Sequence, residues 1–525
     1  MLQSAERTLP RRPLRLAGGA AVALAVTALV ATLFWSILAA AGDQPSSPAQ
    51  IDLGYLVYIT TLQASLSTAL SLAAGIALAW SLNRLRFPGR ALVIGLFAAA
   101  IVTPGLVVAF GLIDVWGRSG WLGMLNIPVF GLGGVIAAHV ILDATFAARI
   151  LLNRLDAIPD RRLKTGQSLA LSPWTRFAVL DWPALRGSLP GLAAIIFLLA
   201  FTSFPIVLLL GGGPSVQTLE LAIYSAVRLD FDLGAAVHLA LLQVGLCAVI
   251  ITVSAATAPV SSSLGTPVAP RWRDNGRARV LQGSILAAGI FAFAAPLLAV
   301  LIDGAAGLAD VLREPAFWRA AVASLWIAAA ASLLAVALAL LVAMSQGATG
   351  SRLLRMALGT PAYTYLAVPA VTLSLGAFLL VRSLGVPPGV AAAPVLVLAN
   401  ALLALPFVIA TLGPPLEAIA RTRGKLIRSL GLSGTRQFTA VEWPLIARDI
   451  GLVLALGFCF SLGDLGVVAL FGTQNFSTLP LLMVRALGAY RAHEAAAIAA
   501  LMLVLTVVVF VALPRLFARL ADARA

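Results

Sequence analysis

The chain has 525 residues, of which 61% are hydrophobic and only 11% are charged, and its mean hydropathy is +1.00. Soluble globular domains carry roughly 25% charged residues, so this composition excludes a soluble fold and predicts a multi-pass membrane protein. The formal net charge of +15 does not indicate nucleic-acid binding, because the Lys and Arg residues lie between hydrophobic segments. Cys247 and Cys459 lie in apolar stretches and support neither a disulfide framework nor a metal site.

Twelve segments are apolar enough to cross a membrane, which takes about 20 residues each. The first is expected to be a retained anchor, although Ala39-Ala40-Ala41 resembles a signal-peptidase site, because it is longer than the apolar core of a signal peptide. The segments lie near residues 17–40, 55–80, 91–113, 130–150, 188–211, 233–256, 281–303, 317–345, 354–381, 390–412, 449–471 and 494–514.

Basic residues concentrate on one side of this topology. With the N-terminus placed inside, 29 of the 36 Lys and Arg residues fall in inner segments. Positively charged loops stay in the cytosol, so both termini are expected there.

The chain contains an internal repeat with an offset of 261 positions. Residues 155–183 align without gaps with residues 416–444. Each half holds six segments, an even number, so the two copies are expected to be parallel and to enclose a translocation path. The aligned pairs are Asp156/Glu417, Lys164/Lys425, Ser168/Ser429, Leu169/Leu430, Ser172/Ser433, Phe177/Phe438, Asp181/Glu442, Trp182/Trp443 and Pro183/Pro444.

The repeat predicts an all-α integral membrane protein of about twelve transmembrane helices in two six-helix copies. Its parts are a cytosolic N-terminus with the first span (1–54), a first core domain (55–256), a cytosolic linker (257–280), the seventh span with its outer loop (281–316), a second core domain (317–517) and a cytosolic tail (518–525).

The repeated segment predicts a helix–turn–helix at the cytosolic surface. Ser172 is placed to cap the second helix, and Ser433 can act likewise in the second copy. Gly431 permits a backbone break that Ala170 makes less comfortably. Pro183 is expected to end the helix, since proline disfavours helical geometry in the residue before it. The alternative is a pair of surface helices that pack only on the bundle or on anionic lipid.

The segment resembles the cytoplasmic EAA loop of ABC importer permeases, in which Glu-Ala-Ala, three residues, Gly, nine residues, an aliphatic residue, one residue, Leu and Pro follow in order. Both copies match the spacing, but Lys replaces the Glu twice, Trp replaces the Leu twice, and Ala170 replaces one Gly. The matched positions are Lys164, Ala170, Leu180, Trp182 and Pro183 in loop 1 (residues 164–183), and Lys425, Gly431, Val441, Trp443 and Pro444 in loop 2 (residues 425–444).

The resemblance implies that each loop docks on one of two subunits of a separate ATPase. No G-x-x-x-x-G-K-[ST] sequence occurs, so ATP and Mg are expected to be used by that partner, and this chain is expected to be a transport subunit without a bound cofactor. The residues expected to form the coupling sites are Lys164, Ser168, Ala170, Ser172, Phe177 and Pro183, and Lys425, Ser429, Gly431, Ser433, Phe438 and Pro444, with Phe177 and Phe438 as apolar anchors.

Residues 211–236 and 460–491 resemble the fused permeases of bacterial importers for thiamine and thiamine pyrophosphate, which are type I importer permeases with a MetI-like fold. Fused permeases for ferric iron are the alternative within this class. The resemblance implies an inner-membrane protein that carries thiamine or its phosphates. It also implies a periplasmic binding protein, for which topology makes 211–233 and 472–493 the landing sites.

Intramembrane carboxylates are rare and are usually functional, and a cationic thiazolium would favour them. We therefore expect Asp464 to face the pathway, with Ser203 at the equivalent position of the first half and Asp143 on the fourth span. The alternative is that Asp464 satisfies backbone donors in an external turn.

Two other function classes are possible. An ion-coupled secondary transporter could use Asp143 and Asp464, but it would leave the duplicated loops unexplained. A membrane-embedded enzyme is disfavoured, because His139, His238 and His493 are scattered and form no metal motif.

Overall fold

A computed structural model describes residues 13–523 apart from 44–51, 212, 214–215, 256–269, 271, 273, 275 and 365–367. Within these ranges the regular structure is helical throughout. Nine of the described helices are long and apolar enough to cross a membrane, and two bent helix pairs raise this number to eleven. The predicted all-α membrane fold is confirmed. Most of the predicted linker (257–280) lies outside the described residues.

The helices of the first half are α1 (Pro13–Asp43), α2 (Leu53–Arg84), α3 (Arg90–Ala99), α4 (Gly105–Trp116), α5 (Leu132–Asp156), α6 (Asp160–Ser168), α7 (Pro173–Arg176), α8 (Trp182–Arg186), α9 (Leu189–Phe201), α10 (Pro205–Leu210), α11 (Leu219–Arg228) and α12 (Leu233–Ala255). Those of the second half are α13 (Arg277–Arg313), α14 (Pro315–Gly347), α15 (Arg352–Thr364), α16 (Ala370–Ser383), α17 (Pro388–Ser429), α18 (Gly434–Gln437), α19 (Trp443–Leu462), α20 (Gly466–Phe471), α21 (Leu479–Gly488) and α22 (Ala492–Asp522).

Four of the predicted spans are interrupted rather than continuous. Residues 91–113 bend by 114° before Pro104, at the junction of α3 and α4. Residues 188–211 divide into α9 and α10, and 449–471 into α19 and α20. Residues 354–381 divide into α15 and α16, with 365–367 outside the description. Proline explains two of these breaks, because it removes a backbone donor and disfavours helix before itself: Pro205 begins α10, and Pro369 precedes α16.

One pair of buried hydrogen bonds shows that the repeat is also three-dimensional. The backbone N–H of Leu219 donates to Thr60 Oγ1 over 3.1 Å, which ties α11 to α2. In the second half the N–H of Leu479 donates to Ser324 Oγ over 2.8 Å, which ties α21 to α14. Equivalent helices therefore meet through equivalent atoms, and Thr60 and Ser324 set an offset of 264 positions between α2 and α14.

The first helix of each half packs on the core of the other half, and α13 also packs closely on α22 of its own half. Helix α1 crosses α14 at Gly19, where a Cβ atom would lie 2.0 Å from Ser345 Oγ. Helix α13 crosses α4 of the first half, where a Cβ on Gly111 would lie 2.4 Å from the carbonyl oxygen of Pro296. Only glycine permits such close approaches. The predicted cores at 55–256 and 317–517 are thus each completed by a helix from outside their own half.

Candidate functional site

The two loops have the predicted helix–turn–helix form. In loop 1, Ser172 Oγ accepts a hydrogen bond from the N–H of Thr175 over 3.2 Å and caps α7. The turns before the second helices need positive φ at Ala170 (49°) and Gly431 (63°), as the sequence indicated. Ser433 differs from the prediction, because it occupies the N-cap position of α18 without a side-chain capping bond.

The prediction that Pro183 ends the second helix of loop 1 is wrong, and loop 2 behaves in the same way. Each helix continues through one wide π turn, Phe177–Asp181 in loop 1 and Phe438–Glu442 in loop 2. The N–H of Trp182 donates to the carbonyl of Phe177. The wider turn accommodates the proline ring of Pro183, which would clash with the preceding carbonyl in a regular α-helix. In loop 2 one helix therefore runs from the loop into α19, whereas in loop 1 the continuous helix ends at Arg186 and the chain bends by 60° into α9.

The predicted aromatic anchors point partly into the bundle. Phe177 is half-buried, and its ring lies 6.5 Å from that of Trp80 and 6.4 Å from that of Trp174. Phe438 is half-buried against Trp443, with ring centroids 6.2 Å apart.

Other apolar side chains of the loops are more accessible than these two phenylalanines. Trp174 is 76% exposed, Leu169 is 66% exposed, and Leu430 is 62% exposed. Trp174 and Leu169 of loop 1, with Leu430 of loop 2, thus present the apolar surface that sequence reasoning assigned to Phe177 and Phe438.

The other predicted loop residues lie mainly on the surface. Lys164, Lys425 and Pro183 are exposed, and Pro444 is half-buried. Ser168 Oγ donates to the carbonyl of Thr165 over 2.8 Å, and Ser429 Oγ donates to that of Leu426 over 2.9 Å. The two serines thus satisfy equivalent carbonyls at the ends of α6 and α17.

A buried ion network holds loop 1 to the bundle, and sequence reasoning missed it. Arg84 Nη2 at the end of α2 binds the two oxygens of Asp181 at 2.5 and 2.6 Å. Arg176 binds Asp274 of the linker through two bonds of 2.7 and 2.8 Å. Gln282 Nε2 of α13 adds a third bond to Asp274, over 2.7 Å. Two arginines and two aspartates balance, which limits the cost of burying them.

The linker also covers loop 1 with an aromatic ring. The Arg176 guanidinium lies 4.6 Å from the centre of the Trp272 ring, in a cation–π contact. The same ring packs on Gly166, where a Cβ atom would lie 2.9 Å from it. Arg86 Nε donates to the carbonyl of Pro270 over 3.0 Å. Loop 1 is therefore clamped between α2 and the segment that leads into α13.

Loop 2 is held by a simpler clamp. Arg15, near the start of α1, binds both oxygens of Glu442 at 2.7 and 3.0 Å. Gln437 Nε2 donates to Glu442 Oε1 over 2.5 Å. The repeated acids Asp181 and Glu442 were visible in the sequence as an aligned pair, and both anchor their loop to an arginine. In each loop a residue at or just before the start of a crossing helix completes the clamp: Arg15 lies in the first turn of α1, and Asp274 lies just before α13.

The three residues predicted to line the pathway lie on separate elements. Ser203 occupies the break between α9 and α10, and Asp464 occupies the equivalent break between α19 and α20. Asp464 Oδ1 accepts a hydrogen bond from the N–H of Val467 over 3.4 Å. This bond is expected under the alternative that Asp464 satisfies backbone donors in a turn. Asp143 lies beside His139 on α5, with Nδ1 and Oδ2 3.7 Å apart. No hydrogen bond or ion pair within the described residues joins the three.

The two halves also touch near the break that carries Asp464. A Cβ on Gly463 would lie 3.0 Å from the ring of Pro104, so the α19–α20 break of the second half abuts the α3–α4 break of the first. The elements that lack helical hydrogen bonds thus meet between the halves, where irregular backbone is tolerated in a membrane protein.

At the opposite end from the loops, α11 crosses to the second half. Arg228 Nη2 donates to the carbonyl of Gly472 over 2.8 Å. Glu220 is fully buried, accepts from Gln243 Nε2 over 3.2 Å, and is hydrogen-bonded by the backbone of Val371. Helix α11 lies outside the candidate spans, and burial raises the pKa of Glu220 from 4.5 to about 8, against the lowering effect of its hydrogen bonds. Glu220 thus links the halves as a neutral acid at pH 7.

Comparison with known proteins gives relatives along almost the whole chain, although no protein-family model matches it. The thiamine transport system permease protein ThiP of Escherichia coli is 35% identical over 480 residues, which cover 88% of this chain and 89% of that protein. ThiP of Haemophilus influenzae is 33% identical and covers 95% and 96%. The molybdenum transport system permease protein ModB of Azotobacter vinelandii is 29% identical over 32% of this chain and 76% of that protein.

Proposed function

The chain belongs to the family of thiamine transport system permease proteins. We propose that it couples ATP hydrolysis in partner subunits to transport. It is a multi-pass inner-membrane permease subunit of a thiamine ABC importer. The observation that carries this conclusion is the similarity to permeases of that name over about nine tenths of both chains. None of the relatives found favours the ferric iron alternative.

Two ATPase subunits dock on loops 1 and 2, one on each. The exposed Trp174, Leu169 and Leu430 support this role, because exposed apolar side chains on a surface loop fit an apolar partner groove. The helical continuity of each loop through its π turn also supports the role. A lever transmits motion as a rigid body, and loop 2 forms one helix with α19, while loop 1 forms one helix with α8 that bends by 60° into α9.

Closure of the ATPase dimer moves the loops, and the two halves rock between inward-open and outward-open states. Thiamine or a phosphate ester of it passes between the halves, delivered by a periplasmic binding protein to the ends near residues 211–233 and 472–493. Arg228 and Glu220 support this assignment, since they join the halves at the end opposite the loops and must separate when that end opens.

Asp464 and Ser203 line this pathway at equivalent breaks, and Asp143 lies further along it. The support for Asp464 and Ser203 is that they occupy equivalent breaks and that Gly463, next to Asp464, abuts Pro104 of the first half. The support for Asp143 is its burial beside His139 on α5. The variant Asp464→Asn is expected to lower thiamine uptake and substrate-stimulated ATPase activity. Ser81→Ala in α2 is the control, because Ser81 is distant in sequence from the two helix breaks that carry Ser203 and Asp464. Unchanged uptake in Asp464→Asn would leave this residue with a capping role only.

The overall function is tested by reconstitution with its partners. The chain, co-expressed with the ATPase and binding protein of its own gene cluster, is expected to co-purify with two ATPase copies and to drive ATP-dependent uptake of labelled thiamine into proteoliposomes. Ferric iron in place of thiamine is the control substrate. Iron uptake without thiamine uptake would contradict the substrate, and uptake driven by an ion gradient without ATP would contradict the class.

The proposed orientation places both termini and both loops in the cytosol. Single cysteines at Arg162, Arg423 and Arg519, introduced into a variant without Cys247 and Cys459, are expected to resist a membrane-impermeant maleimide in intact spheroplasts. A cysteine at Tyr490, which is 96% exposed at the other end, is expected to react. The reverse pattern would invert the topology.

A further inference from the structure

A cavity of about 520 Å³ opens beneath loop 2, between the ends of α14 and α17. This volume lies in the range of small-molecule sites, roughly 300–1,000 Å³. Part of the lining is apolar, formed by Ala343, Met344, Leu416, Ala420 and Ile427. The rest is polar, and Arg15, Gln437 and Glu442 close it on the side of the loop.

The cavity carries an excess of positive charge. Five basic residues line it against two acidic ones, Glu417 and Glu442. Glu442 is neutralised by Arg15, and Glu417 lies 3.9 Å from Arg355. The remaining cations of the lining, Arg421, Lys425 and Arg428, take part in none of the ion pairs between described residues. Their charge is available to an anion.

The equivalent space in the first half is filled by larger side chains. Thr60 and Ser324 set an offset of 264 positions, by which Ala348 takes the place of Arg84. By the offset of 261 positions in the aligned repeat, Gln437 takes the place of Arg176. Both arginines are buried and reach into the clamp of loop 1. Ala348 and Gln437 leave room beneath loop 2 at these two positions, whereas Ile427 takes the place of Gly166 and gives the space an apolar wall.

Two further groups occupy the first-half space, and they indicate what fits it. The ring of Trp272 makes a cation–π contact with Arg176 and packs on Gly166. The carboxylate of Asp274 accepts both guanidinium bonds of Arg176. The chain itself thus fills this space with an aromatic ring and an anion side by side.

We infer that the cavity beneath loop 2 binds a small molecule in which a heteroaromatic ring is joined to a phosphate or diphosphate. The apolar lining receives the ring. Arg421, Lys425 and Arg428 bind the phosphate oxygens, for which charge-assisted hydrogen bonds from Arg and Lys are the usual partners. Nucleotides and phosphorylated thiamine share this chemistry. An occupant would join loop 2 to the end of α14.

The test measures binding to the full-length permease in nanodiscs of zwitterionic lipid, by isothermal titration calorimetry. The four probes are thiamine diphosphate, ADP, inorganic pyrophosphate and thiamine. Thiamine diphosphate or ADP, or both, is expected to bind about tenfold more tightly than pyrophosphate and thiamine. Whichever of the two binds more tightly shows whether the ligand is a phosphorylated thiamine or a nucleotide. Equal binding of pyrophosphate, or of thiamine, would overturn the proposal, because ring and phosphate would not be read together.

Variants locate the site. Ala348→Arg restores the first-half residue and is expected to abolish binding by filling the cavity. Lys425→Ala is expected to weaken binding about tenfold, by loss of one charged hydrogen bond. Lys164→Ala is the matched control, because Lys164 is the repeat-related lysine beside the filled space of the first half. This variant is expected to bind the ligand as tightly as the unmodified chain does. Wild-type binding by Ala348→Arg, or an equal loss in Lys164→Ala, would place the ligand elsewhere. Lys425 is exposed, so this variant keeps the test valid if Ala348→Arg does not fold.

Discussion

Single residues decide how the loops are attached. The sequence was sufficient for local chemistry: it identified the Ser172 cap and the backbone breaks at Ala170 and Gly431, where the structure has positive φ. It could not identify the partners of Asp181, because Arg84 lies 97 positions away and nothing local connects them. Long-range ion pairs depend on how helices pack, and hydropathy carries no information about that packing.

The buried network beneath loop 1 predicts a large effect of removing one partner. Asp274→Ala leaves the Arg176 guanidinium buried without its main counter-charge, which costs about 3–5 kcal/mol. Thermal unfolding of the purified protein in detergent should show a clearly lowered transition. Asp310→Ala, at an exposed site on α13 whose ion pair with Arg313 is also exposed, is the control and should unfold like the unmodified protein. An unchanged transition in Asp274→Ala would show that the network adds no stability.

Glu220 predicts a pH dependence of stability. Its pKa is about 8 in the folded protein against an ordinary 4.5, so its contribution is fully present below pH 4.5 and is lost as pH rises through 8. Thermal stability of the unmodified protein should therefore fall between these values, and Glu220→Gln should remove part of that fall. Glu494→Gln, with a more exposed carboxylate in an ion pair with Arg491, is the control. The same slope in Glu220→Gln and the unmodified protein would contradict the assignment.

At the scale of elements, hydropathy located the spans but not their breaks. A window of about 20 residues averages over Pro104 and Pro205, so a broken helix scores like a continuous one. The reverse error occurred at Pro183, where a helix was expected to end and a π turn carries it on. Whether a proline breaks or only widens a helix depends on which neighbours satisfy the freed carbonyls, and this is a tertiary property.

The paired turns of loops 1 and 2 predict opposite effects of the same exchange. Ala170→Gly is expected to stabilise the protein by about 1 kcal/mol, and Gly431→Ala to destabilise it by about the same amount, because a Cβ is strained at positive φ. Thermal unfolding of both variants measures this. Space does not limit either change, since a Cβ on Gly431 would meet nothing within 4 Å. Shifts of equal sign in the two variants would exclude backbone strain as the cause.

For the whole molecule, the matches between 155–183 and 416–444 predicted the duplication, and the even number of spans in each half predicted parallel copies. The sequence did not predict that α1 and α13 exchange places. Both are uniformly apolar, and an apolar helix in lipid carries no pattern that identifies its partner. The small residues that mark the crossings, Gly19 and Gly111, can be recognised only once Ser345 and Pro296 are known to face them.

The exchange predicts that the halves stay together when the linker is cut. Residues 1–262 and 263–525, expressed as separate chains, should co-purify in detergent. Gly111→Leu should reduce the recovered partner severalfold, because its side chain would collide with the backbone at Pro296. Gly95→Leu is the control, since a Cβ there meets nothing within 4 Å. Independent elution of the unmodified halves would contradict this packing.

The exchanged helices also set an order for biogenesis. When the ribosome has finished the first half, α4 still lacks α13, and the glycine surface at Gly111 faces lipid or the insertion machinery. Loop 1 likewise lacks Asp274 and Gln282 until the chain has passed the linker, so Arg176 lacks its main counter-charge before then. The first half is thus completed only by a helix from the second half. It cannot reach its final packing before translation of the second half has begun.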